Sequence, residues 1–411
     1  MAGDGLTFAC RRPSSLADAG CSSVFDTGKA RNQTYPASTC VAGGFFALSR
    51  VHPHFQTDPH LGFPRVESTL RFLPSSPPGP GGAGAEKMAS AASAPVFERV
   101  AGIRAIAESG RFKASSFPTS QEPTKSVSQA WFLDQFGVLH DGKKPYPGAI
   151  LALEKLAGNG AKMVIISNSS RRSSVTMDKL KSLGFDTSCF LATITSGELT
   201  HQHLLKRNDP WFAALGRKCI HITWGNRGAI SLEGLGLQVV NNVDDAEFIL
   251  AHGTEALGSP SGDPLPKSLE ELEQVLMLGL ERRLPMVVAN PDFVTVEARD
   301  LRVMPGTLAA KYENLGGEVK WMGKPDKVIY NSAMSLAGVD AHECIMVGDS
   351  LHHDIKGANA SGIASAFITG GIHAAELGLS ESGETAGEDA VNTLCSKHGS
   401  YPSYVSPSFT W

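Results

Sequence analysis

Four short apolar runs, most closing on a polar residue, constrain what this chain can fold into more than any other feature. They are "AWFLDQF", "AKMVIISN", "ECIMVGD" and "IASAFIT". Each is seven or eight residues, more than half of them apolar, the signature of a strand buried on both faces. Helical patterns lie between them. One passes through Ile150, Leu153 and Leu156, started by Pro147 and stopped at Gly158–Gly160; another passes through Met177, Leu180 and Leu183 and ends at Gly184. A third spans about His352 to Ser361. Strands alternating with helices predict an α/β protein with a Rossmann-like, doubly wound parallel sheet.

The two halves of that pattern, 131–200 and 299–380, are separated by about a hundred residues. This segment, 201–298, has its own strand candidates, "KCIHITW", "LQVV", "EFILAH" and "PMVVAN", and a helix from Leu269 to Arg282. It is too long for one crossover connection. We read it as an inserted α/β cap domain over the carboxyl ends of the strands, where such sheets bind ligands. Upstream, 91–130 reads as a helix with Phe97, Val100, Ile103 and Ile106 on one face, then a turn-rich loop. Residues 381–411 read as a C-terminal tail.

Residues 1–90 are rich in Ser, Pro, Gly and Ala and poor in acids, and contain "LPSSPPGPGGAGA". Such a composition buries too little apolar surface to offset its ordering entropy. It reads as a disordered extension or as an organelle-targeting peptide, the latter implying a plastid or mitochondrion. Otherwise the seven cysteines, none in a CxxC pair, fit a reducing, cytoplasmic location better than a disulfide framework or a zinc site. A formal net charge of −4 with no long basic stripe argues against nucleic acid as partner, and no apolar run is long enough to span a membrane.

Polar residues at the strand ends converge on one crevice in a parallel sheet. Asp134 ends the first strand, Ser167 and Asn168 the second, and Asp349 the third, with Asp354 one helical turn later; Lys324 precedes a helix in "MGKPDKVIY". This set suits phosphoryl transfer. Asp134 can attack phosphorus only if repulsion from the phosphate is neutralised. Mg2+ held by Asp134, Asp349 and Asp354 would do that. Lys324 adds a fixed charge, and Ser167 with nearby amides can hold phosphate oxygens. The product is an aspartyl-phosphate, hydrolysed in a second step.

The strand-end Asp134, "SNSSRR", "GKPDK" and "GDSLHHDIKGA" together resemble the four motifs of the haloacid dehalogenase superfamily. "ANPDFV" and the placing of the insertion are similar to its subfamily IIA, mostly phosphatases with an α/β cap. The resemblance covers about 131–378. It implies Asp134 as nucleophile, Ser167 and Asn168 as phosphate ligands, Lys324 as charge clamp, and Asp349 and Asp354 as metal carboxylates. It also implies a small phosphorylated metabolite as substrate and, in relatives, a homodimer formed through the cap.

One residue departs from the family pattern. Two positions after the nucleophile such phosphatases carry a second Asp, which protonates the leaving oxygen and later activates water. Here Phe136 stands instead. Its backbone carbonyl can still ligate the metal, but its side chain can move no proton, and His140 or Asp141 are the nearby candidates to substitute. General acid–base help is worth about 10²–10⁴ in rate, so alkyl phosphates should turn over slowly. The alternatives are a binding or regulatory protein without catalysis, and attack of Asp134 on carbon, which needs no metal.

Overall fold

Seven strands pair, all in parallel, into the larger sheet: Glu98–Arg99, Tyr404–Ser406, Ala364–Ile368, Cys344–Gly348, Ala130–Leu133, Lys162–Ser167 and Phe190–Thr195, in that spatial order. The computed structural model describes residues 97–109 and 130–411, apart from 226, 298, 299 and 382. Side chains alternate across this sheet as the two-residue repeat of a strand requires. Trp131, Leu133, Met163 and Ile165 pack with Leu153, Leu156 and Leu180 on one face. Ala130, Phe132, Val164 and Ile166 pack with Ile329, Ala333 and Ala358 on the other. Helices Ala149–Gly158 and Ser173–Ser182 therefore cover the first face, and Lys327–Ala337 covers the second.

The chain runs outward from Ala130–Leu133 in one direction through Lys162–Ser167, then returns to Cys344–Gly348 on the other side. This reversal opens a crevice beyond the carboxyl ends of the two central strands.

A second, mixed sheet comes chiefly from the inserted segment. Its main path is Val319–Trp321, Met286–Val288, Phe248–Ala251, Lys218–Thr223, Ala256–Leu257 and Leu265–Pro266. Helix Leu269–Glu281 packs Leu272 and Leu276 against it. Ser268 and Glu271 form a reciprocal cap that starts this helix. Its outermost strand, Val319–Trp321, comes from beyond residue 298, where the sequence placed the return to the core.

Three local expectations differ from the structure. The helix expected from Phe97 is instead a strand, Glu98–Arg99, and a short helix, Arg104–Glu108. Phe97, Val100, Ile103 and Ile106 are all buried, but pairing with Tyr404–Val405 holds the first part extended. Residues 381–411 are no tail: they supply helix Glu388–His398 and a strand inside the sheet, with Tyr404, Val405 and Phe409 buried. The helix expected from His352 begins as a wider turn, Leu351–Ile355, before the regular Lys356–Ala360. The expected extension, 1–90, and the loop at 115–129 lie outside the described residues. Among the described residues no helix is long and apolar enough to cross a membrane.

Candidate active site

Backbone pairing assembles the site. Leu133 lies opposite Val347, and the Asp134 amide donates to the Val347 carbonyl at 2.9 Å. Asp134 and Asp349 consequently leave adjacent strand ends on the same edge of the sheet. Asp134, Asp349 and Asp354 are buried, and each has an oxygen within 4.8 Å of the others. The Lys324 ammonium lies 2.8 Å from Asp134 Oδ1 and 2.7 Å from Asp354 Oδ1. Asp349 Oδ2 accepts from the Ile372 amide at 2.7 Å, and Asp354 Oδ2 from the Ser350 amide at 3.0 Å. Only glycine fits at 137, where φ is 87° and a Cβ would strike the Asp349 carboxylate.

The charges do not balance. Burial pushes the Asp134 carboxyl up to about 7 despite Lys324. Burial, then Asp134 and Asp354, raises Asp349 well above the carboxylate range. Burial alone would lower Lys324, but Asp134 and Asp354 outweigh it and hold the ammonium charged. Three buried carboxylates facing one ammonium are short of positive charge. Their oxygen-only donor set fits Mg2+, a hard cation that prefers carboxylates.

Ser167 is held by a relay the sequence reading missed. Its Oγ accepts from Gln135 Nε2 at 2.9 Å and from the Ser169 amide at 3.2 Å. Gln135 Oε1 faces His140 Nε2 at 3.4 Å, and His140 Nδ1 accepts from the Gly142 amide at 3.0 Å. That last bond leaves the imidazole proton on Nε2, pointing at Gln135. With two accepted bonds, the Ser167 hydroxyl is left as a donor into the cavity that it lines. A residue between the nucleophile and Phe136 gives no sequence signal of this contact, which spans 32 positions.

Asn168 does different work from that expected. Its amide donates to Asp292 Oδ1 at 2.8 Å and to the Lys324 carbonyl at 3.1 Å, and its Oδ1 accepts from the Lys324 amide at 2.8 Å. The carboxamide is thus committed to joining three chain segments. Neither candidate for the missing proton donor is well suited. His140 is buried, both its nitrogens face partners, and burial lowers its pKa to about 4. Asp141 lines the cavity; burial alone would raise its carboxyl, but the Lys144 and Lys143 amides with the nearby Lys144 charge together hold it below the usual range. It is an ionised acceptor.

His353 is buried and lines the cavity beside Asp292, with Nε2 at 3.5 Å from Asp292 Oδ1. Its Nδ1 faces the Lys324 carbonyl at 3.3 Å. Adjacent helical side chains do diverge; His353 is the one that turns inward.

Fold and site together define a Rossmann-like α/β core with an acidic centre at its strand ends, beside a second, mixed sheet. Residues 131–238 match the haloacid dehalogenase-like hydrolase family, and residues 321–394 match a second HAD-hydrolase-like family. A solved haloacid dehalogenase-like hydrolase from Brucella suis 1330 superposes with a TM-score of 0.54 at 25% identity, covering 69% of this chain and 96% of that one. A glycerol-3-phosphate phosphatase of Gallus gallus is 26% identical over 262 residues, 58% of this chain and 79% of its own. A NipSnap protein of Caenorhabditis elegans is 27% identical over 252 residues; the match spans about half of it, 47%. Residues 131–238 and 321–394 thus carry haloacid dehalogenase-like hydrolase domains.

Proposed function

We propose that the protein is a Mg2+-dependent phosphohydrolase of the subfamily IIA type, acting on a small phosphorylated metabolite through an aspartyl-phosphate on Asp134. The observation that carries this reading is the clustering of Asp134, Asp349 and Asp354 within 4.8 Å around the Lys324 ammonium. Bound Mg2+ supplies the positive charge that lets a carboxylate approach a phosphate dianion. Asp134, Asp349, Asp354 and the Phe136 carbonyl would hold it. Asp134 supplies the attacking oxygen, Lys324 neutralises charge on the transferring group, and Ser167 donates to a phosphate oxygen. That the Gallus gallus relative is a glycerol-3-phosphate phosphatase supports a phosphomonoester substrate.

Phe136 supplies no proton to the leaving oxygen and activates no water, so alkyl phosphates are poor substrates. The same residue favours a second reading, a protein that binds phosphometabolites without hydrolysing them. Phosphate release from an aryl and an alkyl phosphate, with Mg2+ and with chelator, separates the two. Mg2+-dependent release that disappears in Asp134→Asn supports the enzyme. Tight binding with no release supports the binder.

A further inference from the structure

The cavity above the carboxylates, about 700 Å³, is far larger than a phosphate group needs; cavities of that size enclose whole organic ligands. Apolar side chains line it as well as the charged ones. Phe136, Val294 and Ile372 are large apolar side chains left exposed at 39%, 37% and 38%, and all three line this one cavity, with Tyr146 and Leu379. Single exposed apolar residues are ordinary. Several around a cavity with a charged floor mark a binding surface.

The Phe136 ring is held in place. It meets the His140 ring edge-on, with centroids 6.0 Å apart, and lies over Gly142, where a Cβ would come within 2.9 Å of it. A fixed aromatic face suits offset stacking with a planar ring. The same residue also occupies the place of the proton donor. The substrate must therefore have a leaving oxygen that departs as an anion, and an apolar body. A polyol phosphate meets neither demand, a small acyl phosphate only the first, and an aryl phosphate both.

We propose that the substrate is an aryl phosphate monoester, its phosphate held by Ser167 and Lys324 beside Asp134 and its ring seated against Phe136, Val294, Ile372 and Leu379. This rests on the phosphohydrolase reading above. An Asp134 oxygen bonds to phosphorus as the P–O(aryl) bond breaks, and the electron pair leaves on a phenolate that takes its proton from solvent. Water then cleaves the acyl phosphate to inorganic phosphate and the restored carboxylate. Asp141 and Lys143 also line the cavity, on either side of Gly142, and can meet polar ring substituents.

The test compares 1-naphthyl phosphate, acetyl phosphate and glycerol 3-phosphate on the full chain with Mg2+. The expected order of kcat/KM is naphthyl, then acetyl, then glycerol, with naphthyl at least about tenfold above acetyl through KM, the range one apolar contact set provides. Leu379→Asn and Val294→Asn should each reduce the naphthyl-to-acetyl ratio several-fold. Acetyl phosphate at parity or better, or unchanged ratios in both variants, overturns the aryl assignment while leaving the phosphohydrolase intact. No turnover of any of the three removes the hydrolase reading. In that case the apolar wall is judged by calorimetry, where 1-naphthylphosphonate must bind at least about tenfold more tightly than methylphosphonate; equal binding ends the proposal.

Discussion

Lys324 Nζ stands 2.8 Å from Asp134 Oδ1 in a site where both side chains are almost wholly buried. The ammonium also bonds Asp354 at 2.7 Å, so it serves two of the three clustered carboxylates. Removing one partner of a buried ion pair leaves an uncompensated charge, which costs about 3–5 kcal/mol. Lys324→Met should therefore be both inactive and less stable by roughly that amount in urea denaturation. Undiminished stability would show that the carboxylates are neutralised in some other way.

Mg2+ should stabilise the fold. A cation that binds the native carboxylate cluster and not the unfolded chain adds about 2.7 kcal/mol at a hundred times its dissociation constant. Thermal melts in rising Mg2+ are expected to climb for the unaltered chain and much less for Asp349→Asn. Parallel curves for the two proteins would place the cation elsewhere.

Phe136 should leave a kinetic signature. If an aryl phosphate transfers readily but no side chain activates water, the second step limits turnover and the phosphoenzyme accumulates. Stopped-flow traces should show a burst of phenol approaching one per active site. Phe136→Asp should remove the burst and raise steady turnover by a factor of about 10²–10⁴. A variant with unchanged turnover and an unaltered trace would show that position 136 limits nothing.

Gln135→Leu tests the relay behind Ser167. Without the Gln135 bond, the Ser167 hydroxyl is free to turn and donate elsewhere. We expect KM and the inhibition constant of orthophosphate to rise together by roughly ten- to a hundredfold, the factor that about 1.5–3 kcal/mol for one hydrogen bond to a charged group represents. Gln135→Asn, too short to reach, should behave like Leu. A fall in kcat alone would assign Gln135 a different task.

The second sheet carries a pH dependence. His221 Nε2 and His252 Nδ1 lie 3.2 Å apart, both rings buried. Burial lowers His221 from 6.5 to about 4 and His252 well below 6.5. Folded, the pair stays neutral while the unfolded chain takes up protons below about 6.5. Stability is therefore full at neutral pH and is lost as pH falls from about 6.5 to about 4, by about 3 kcal/mol for His221 alone. In His221→Gln the stability profile over this window should be flatter than in the unaltered chain. Identical profiles would remove the pair as the cause.

Much of the site was legible in the sequence because it follows from local pattern. Apolar runs of strand length and helical repeats identify the parallel sheet, and the residue after each run lies at its carboxyl edge. Asp134, Ser167 and Asp349 are readable for that reason. The absence of an acid at 136 is equally a matter of one letter.

What only the tertiary structure decided lies in contacts between distant positions. Whether Glu98–Arg99 is strand or helix depends on Tyr404–Val405, some three hundred residues away. Asn168 could not be assigned without Asp292 and Lys324, which occupy its hydrogen-bonding groups. Nor could Phe136, Val294 and Ile372 be seen to share one cavity. Local sequence sets period and propensity, whereas burial and hydrogen-bond satisfaction depend on which surfaces meet once the chain has closed on itself.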